Sequence, residues 1–412
     1  MRVNPFAALR PDPENARQVA SVPYDVVNTE EARKLAEGNP LSFLHVVRPE
    51  IDLPPETDPH ADEVYAQART AFDRLQAEGA LVREDRPSIY LYRQQAKLNG
   101  VAVSQMGVVA CCHIDDYRNG LIKKHEKTRK DKEDDRTRHV LTLEANAGPV
   151  FLLYRGNDPL TKMMEDDAMG PPIHDFLAED HVRHTVWTVE EPEAYVAAFG
   201  DVEAAYVADG HHRSASASRA GAELRSKNDK HTGNEEYNWF QCVLFASDQL
   251  NILPYHRVVK DLNGLSAEDF LKKMDDVGEV KPTDDPTPPH TGAFGMYVDG
   301  KWYMVTLPRD GIDRSDPVES LDYVLLYERV LSPILGIGEI RTDERIDFVG
   351  GIRGTDELER RVNSGGCAVA FAMHETTIDQ LMTVADAGRI MPPKSTWFEP
   401  KLRSGLLVHT LD

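Results

Sequence analysis

Between residues 204 and 220 the chain passes from an apolar run to a helix-forming run through a single glycine. This break constrains the fold more than any other stretch. Ala204-Ala205-Tyr206-Val207 reads as a short buried strand, and Ser214-Ala215-Ser216-Ala217-Ser218-Arg219-Ala220 reads as the start of a helix. Between them stand Ala208-Asp209-Gly210-His211-His212-Arg213. Gly210 lets the backbone turn tightly and approach a ligand closely. Two imidazoles and a guanidinium follow at the first helical turn, where backbone N–H groups and the helix dipole already favour an anion. Gly210, His211, His212 and Arg213 therefore outline a phosphate site, with the Asp209 carboxylate beside them. The plainer reading is a surface helix with a polar first turn. An Asp before the Gly and three cationic or titratable side chains in a row argue against it.

A second stretch, His125-Glu126-Lys127-Thr128-Arg129-Lys130-Asp131-Lys132-Glu133-Asp134-Asp135-Arg136, has the composition of a solvated loop. It leads into Asn146-Ala147-Gly148-Pro149-Val150-Phe151-Leu152-Leu153-Tyr154, a turn followed by a core strand, so an ordered element follows directly. A carboxylate flanked by His and Lys can act as a general base, which makes Glu126 the candidate base and His125 its neighbour. Charge sharpens the point. The chain has 47 Lys and Arg against 69 Asp and Glu, a net of −22. Such a surface repels a phosphate backbone at long range and counts against nucleic acid as a partner. An anionic nucleotide must then be drawn in by local cations, and Lys123, Lys124, Lys127, Arg129, Lys130, Lys132, Arg136 and Arg138 surround Glu126.

The His-Glu pair, the downstream Arg and the Asp-Gly-His-His-Arg turn after a strand resemble the ParB/sulfiredoxin superfamily, and within it the free-serine kinases. The segments Val22-Pro23-Tyr24-Asp25-Val26, Asn39-Pro40-Leu41-Ser42-Phe43-Leu44 and Met391-Pro392-Pro393-Lys394-Ser395-Thr396-Trp397-Phe398 resemble a large, mostly uncharacterised bacterial and archaeal family of that superfamily. This second likeness spans nearly the whole chain, whereas the kinase likeness covers two short motifs. The resemblance implies an α+β fold with a ParB/sulfiredoxin-like nucleotide-binding core and additional α/β elements at both ends. It implies that Glu126 deprotonates the hydroxyl of free L-serine, and that Asp209, His211, His212 and Arg213 handle the phosphates and metal. On this reading ATP, ADP or pyrophosphate is the donor, and O-phosphoserine the product. Mg²⁺ is the cofactor, with Asp209 as its carboxylate. The long segment between Glu126 and Asp209 departs from the smaller kinases and leaves room for extra elements. Sulfiredoxin chemistry needs a cysteine where His211 stands. A ParB-like DNA-binding regulator needs a helix-turn-helix and a basic surface. A non-catalytic metabolite sensor is separated from a kinase by turnover.

At 412 residues the chain exceeds one ordinary core. The division expected is an N-terminal α/β region (1–112), the nucleotide-binding core (113–262) and a C-terminal α/β region (263–412). No apolar run reaches the roughly 18 residues of a membrane span, and Met1-Arg2-Val3-Asn4-Pro5-Phe6 lacks an apolar signal region, so a cytoplasmic location is expected. Cys111, Cys112, Cys242 and Cys367 form no Cys-x-x-Cys pair and read as free thiols. Asn28 with Glu31 predicts a helix start, and Asp62 to Glu78 a longer amphipathic helix. Ile89 to Gln94 and Val101 to Cys112 predict a hairpin around Asn99-Gly100, and Phe294 to Val298 and Trp302 to Leu307 another around Asp299-Gly300. Ile252 to Val259 reads as one strand, Val318 to Leu331 as one helix, and the Pro-rich residues 281–289 as a linker or long loop. Lys394 lacks the Gly-rich lead of a P-loop but can reach a phosphate from the C-terminal segment. Arg136 joins it among the candidate phosphate-binding residues.

Overall fold

The computed structural model describes residues 1–308, 310 and 312–412. The chain divides into two compact units, one built from Met1–Leu250 with Pro400–Asp412 and one from Asn251–Glu399. The boundaries expected after residues 112 and 262 are therefore corrected. The physical reason is strand pairing: residues 101–113 lie beside residues 239–246 in one sheet, so no domain edge falls between them.

The first unit is organised by a sheet of nine strands: β1 (Val3–Asn4), β2 (Tyr90–Leu98), β3 (Val101–His113), β4 (Ile122–Lys123), β5 (Val150–Tyr154), β6 (His174–Leu177), β7 (Arg183–Thr188), β8 (Ala205–Asp209) and β9 (Trp239–Ala246). Their order is β4-β8-β5-β9-β3-β2-β7-β6, with β1 on β3. β8 runs parallel to β4, and β5 parallel to β9; the other neighbours are antiparallel. This mixed sheet with separate helices is the α+β class expected. The β2–β3 hairpin turns at Asn99 (φ 48°) and Gly100 (φ 86°), both left-handed as a two-residue type I′ turn requires. All five residues of β5 are buried, as are both Cys111 and Cys112 on β3. β5 and its neighbour β9 are buried along almost their whole length, so alternation leaves no wet side at the centre of the sheet.

Four helices of this unit matter below: α1 (Thr29–Ala36), α2 (Asp62–Ala77), α3 (Lys130–Leu143) and α4 (His211–Lys227). α1 opens with the expected reciprocal cap between Asn28 and Glu31. α4 lies close against the chain: a Cβ on Gly221 would sit 2.2 Å from the Tyr237 carbonyl oxygen, so only glycine fits there.

The second unit carries a six-stranded antiparallel sheet in the order 279–282, 301–306, 293–298, 369–373, 255–259, 346–350. The strand expected over 252–259 is divided by Pro254, which has no N–H to give a ladder. Asn251–Leu253 pairs with Trp397–Glu399, and Tyr255–Val259 joins the larger sheet. The helix expected over 318–331 is shorter: Asp322–Leu326 is α-helical and Tyr327–Leu331 widens into a π-helix. The Pro-rich stretch begins in the strand Glu279–Pro282 and continues as a loop inside this unit. Among the described residues no helix is long and apolar enough to cross a membrane.

Candidate functional site

β8 ends at Asp209, and a register shift between Val207 and Asp209 re-aims the strand as it leaves the sheet. Gly210 is the residue before α4, with φ 95° and ψ 31°. That left-handed conformation disfavours any side chain. A Cβ here would also lie 3.3 Å from Arg213 Nε and 3.4 Å from its Cζ. No side chain caps the first turn of α4, and Ser214 Oγ donates back to the Gly210 carbonyl at 3.0 Å. The strand, glycine and helix of the sequence reading are thus in place, and the amides of the first turn carry the dipole's positive end.

Cations and carboxylates are interleaved at this turn. Lys401 Nζ donates to Asp209 Oδ2 at 3.0 Å. The Arg213 guanidinium lies 3.6 Å from Asp209 Oδ1 and 3.8 Å from Asp25 Oδ2, and its Nη1 donates to the Pro149 carbonyl. Burial pushes the Asp209 carboxyl up, but Lys401 and Arg213 outweigh it and hold it well below the usual carboxylate range. Burial pulls the Arg213 guanidinium down, and Asp25 and Asp209 more than compensate. Both groups are charged.

The imidazoles are not. Burial lowers His125 to about 4 against the opposing pull of Asp209. Burial and the neighbouring His125 hold His211 well below the usual histidine range. Burial also lowers His212, whose Nε2 accepts the Arg129 backbone N–H at 3.1 Å and so carries no proton. The two rings of His125 and His211 meet edge to face at 4.6 Å. His211 Nδ1 lies 4.0 Å from Glu126 Oε2. The Glu126 side chain is 40% exposed, whereas that of His211 is 5% exposed. A partly open carboxylate is therefore braced against a buried neutral ring at the helix start.

Beside the turn lies a small cavity of about 40 Å³ lined by Tyr24, Arg136, Asn146, Gly148, Arg213 and Gln241 among others. Arg136 stacks over the Tyr24 ring at 4.4 Å and pairs with Asp135 at 2.8 Å. Other cations of the charged stretch are also engaged: Arg129 with Asp131, Arg138 with Asp62, Lys123 over Tyr206 and Lys124 over Tyr117. Of these cations, Arg129 and Arg136 pair with carboxylates close to them in sequence, Arg138 pairs with Asp62 far upstream, and the two lysines lie over tyrosine rings.

Glu126, His125, Asp209, Gly210, His211, His212 and Arg213 thus come together in the first unit, and Arg136 lines the same small cavity as Arg213. Lys394 belongs to the second unit, where its backbone is left-handed (φ 58°) and its ammonium lies 5.5 Å over the Tyr255 ring. Two residues at the turn escaped the sequence reading. Asp25 lay in a segment noted only for its family likeness. Lys401 carried no local signal, since it reaches the turn from 192 residues away. Among the described residues no three His, Cys, Asp or Glu side chains gather as a metal cage. Mg²⁺ carried on phosphate oxygens needs only one or two protein carboxylates. Asp209 meets that need: Lys401 holds Oδ2, and the Arg213 contact to Oδ1 is beyond hydrogen-bond length.

No curated protein matches the chain. Among solved structures it is similar to a conserved hypothetical protein from Pyrococcus furiosus, at 12% identity and a TM-score of 0.36 over 74% of this chain and 95% of that one. It is similar to a free serine kinase in complex with AMP at 12% identity and a TM-score of 0.33, over 71% of this chain and 86% of that one. It is also similar to SbnI with a C-terminal truncation from Staphylococcus aureus, at 11% identity and a TM-score of 0.38 over 73% and 87%. At these TM-scores the overlap is low, and the site is read from this chain's own residues. The family described as "Protein of unknown function (DUF1015)" matches residues 3–324, and the chain belongs to that family.

Proposed function

We propose that this protein is a small-molecule kinase that transfers a phosphoryl group from ATP, ADP or pyrophosphate to the hydroxyl of free L-serine. The fold assigned to this activity is a ParB/sulfiredoxin-like nucleotide-binding core within the first unit. One observation carries the reading: Glu126 Oε2 stands 4.0 Å from His211 Nδ1, at the first turn of a helix that also presents Arg213. A base would then stand beside an anion site, the pairing that phosphoryl transfer requires.

In this mechanism Glu126 accepts the hydroxyl proton as the serine oxygen forms its bond to phosphorus. The bond from phosphorus to the bridging oxygen breaks, and the leaving phosphate takes the electron pair. Arg213, with its planar fork, and the amides of the first turn of α4 hold the donor phosphates. Gly210 keeps the approach open. The buried neutral His211 and His125 brace Glu126 and can donate hydrogen bonds without adding charge. His212 orients the loop through the Arg129 amide. Arg136 and Tyr24 line the small adjoining cavity that Arg213 also lines. Lys394 belongs to the second unit and is given no role in this mechanism. Asp209 would hold Mg²⁺ through Oδ1, the oxygen that Lys401 does not bond, and the ion would supply charge neutralisation.

The test is a screen by phosphorus NMR of purified protein with Mg²⁺ and each donor against a panel of amino acids and polyols. An O-phosphoserine resonance that grows only with L-serine supports the proposal. Donor binding without any new phosphoester would make the protein a nucleotide-binding sensor.

A further inference from the structure

The turn that is to bind an anion is crowded with negative charge. Asp25 and Asp209 face Arg213 at 3.8 and 3.6 Å, and Glu126 stands beyond His211. The three imidazoles add nothing, being neutral. Arg129 is spent on Asp131 and Arg136 on Asp135. At the Asp209 end of the turn Arg213 is shared between two carboxylates, Asp25 and Asp209, and by itself does not balance them, which opposes a phosphate. Lys401 alters this balance: its ammonium is 3.0 Å from Asp209 Oδ2, and its side chain is 15% exposed.

Its position is built, not incidental. Gln94 and Gln105 lie directly opposite each other on β2 and β3 and are both fully buried. Gln105 Nε2 donates to Gln94 Oε1 at 3.0 Å and to the Pro400 carbonyl at 3.4 Å, and Gln94 Nε2 donates to the Lys401 carbonyl at 2.8 Å. Buried amides are costly unless bonded, and these two spend their bonds on the backbone that carries Lys401. On its far side Arg403 Nε reaches His184 Nε2 at 3.3 Å, and Ser404 exchanges two backbone bonds with Ser21 at 2.9 and 3.0 Å. The segment is pinned on both sides of the lysine. An ion pair of this kind adds little to stability by itself.

We propose that Lys401 is a positioning residue of the phosphate turn, placed to mask the Asp209 carboxylate so that the turn accepts an anionic donor. This rests on reading the turn as a phosphate site. The role makes a specific demand: the lysine is needed only because the aspartate is charged.

The experiment titrates inorganic pyrophosphate calorimetrically into wild type, Lys401→Met, Asp209→Asn and the double variant, with circular dichroism and thermal melting on each. Lys401→Met should weaken binding about tenfold to a hundredfold, the span for exposing a charge in a partly buried site. The double variant should recover to within about threefold of Asp209→Asn alone, and Lys401→Arg should bind within a similar factor of wild type. If Lys401→Met does not fold, Lys401→Gln carries the same expectation, since it can bond Asp209 without charge. Wild-type affinity in the folded Lys401→Met protein, or a double variant as weak as Lys401→Met, overturns the masking role while leaving the phosphate site standing. A wild type that binds no pyrophosphate overturns both.

Discussion

Replacing Gly210 with alanine perturbs the turn by one methyl group, and its effect can be worked from the structure. The residue sits at φ 95°, where an L side chain pays roughly 1–2 kcal/mol. The new Cβ would press on Arg213 Nε at 3.3 Å and Cζ at 3.4 Å, tighter than ordinary contact, with Val150 Cα at 3.5 Å on the other side. The guanidinium is hydrogen-bonded to the Pro149 carbonyl and ion-paired with two carboxylates, so it yields only by loosening those contacts. A total of about 2–3 kcal/mol follows for the folded state. In a unit of this size that lowers the melting temperature by about 4–10 °C. Because Arg213 moves, pyrophosphate affinity should fall as well, by about tenfold. Differential scanning calorimetry and a binding titration on the same sample read both effects. An unchanged melting temperature with unchanged affinity would refute the claim that the turn needs glycine and that Arg213 is held over it.

Arg213→Lys should weaken pyrophosphate binding, because it keeps the charge but loses the two-pronged geometry; Arg213→Ala should weaken it further, and calorimetry at two salt concentrations should show the wild type weakening with salt. Gly221→Ala places a methyl 2.2 Å from the Tyr237 carbonyl oxygen and should cost more than about 3 kcal/mol in urea denaturation, because backbone must move. Burial depresses His139 to about 3 while its Nε2 meets the Val46 carbonyl at 2.9 Å. The unfolded chain then binds the extra proton below the ordinary histidine value. Stability is present above pH 6.5 and falls as the pH drops toward 3, with a slope of about 1.4 kcal/mol per unit from this one ring. Denaturation of His139→Gln at pH 7, 6 and 5 should show a shallower loss than wild type. Equal slopes would mean the ring is not held neutral.

Local chemistry made much of the fold legible. Asn28 with Glu31 announced a cap, and Asn99-Gly100 and Asp299-Gly300 announced hairpins, because each signal acts within a few residues. The glycine turn at 210 was legible for the same reason. What failed was decided at long range. Burial keeps His125, His211 and His212 as neutral rings, a charge state that their sequence left open because no sequence pattern states burial. The cationic run around Glu126 is neutralised partly by near neighbours such as Asp131 and Asp135, and partly by Asp62 far upstream. The domain edges failed because β3 pairs with β9 and the residues after 400 return to the first unit. That return brings Lys401 to Asp209, and only the folded chain reveals it.

The central claim is that Glu126 acts as the base for phosphoryl transfer at the Arg213 turn. Its most direct measurement is a time course by phosphorus NMR with L-serine, the active donor and Mg²⁺, run on wild type and on Glu126→Gln at saturating donor. The account predicts that the variant folds and binds donor normally while O-phosphoserine forms roughly 10²–10⁴-fold more slowly, the usual span for losing a general base. Near-normal turnover in the variant would contradict it and return the residues around Glu126 to a charged loop.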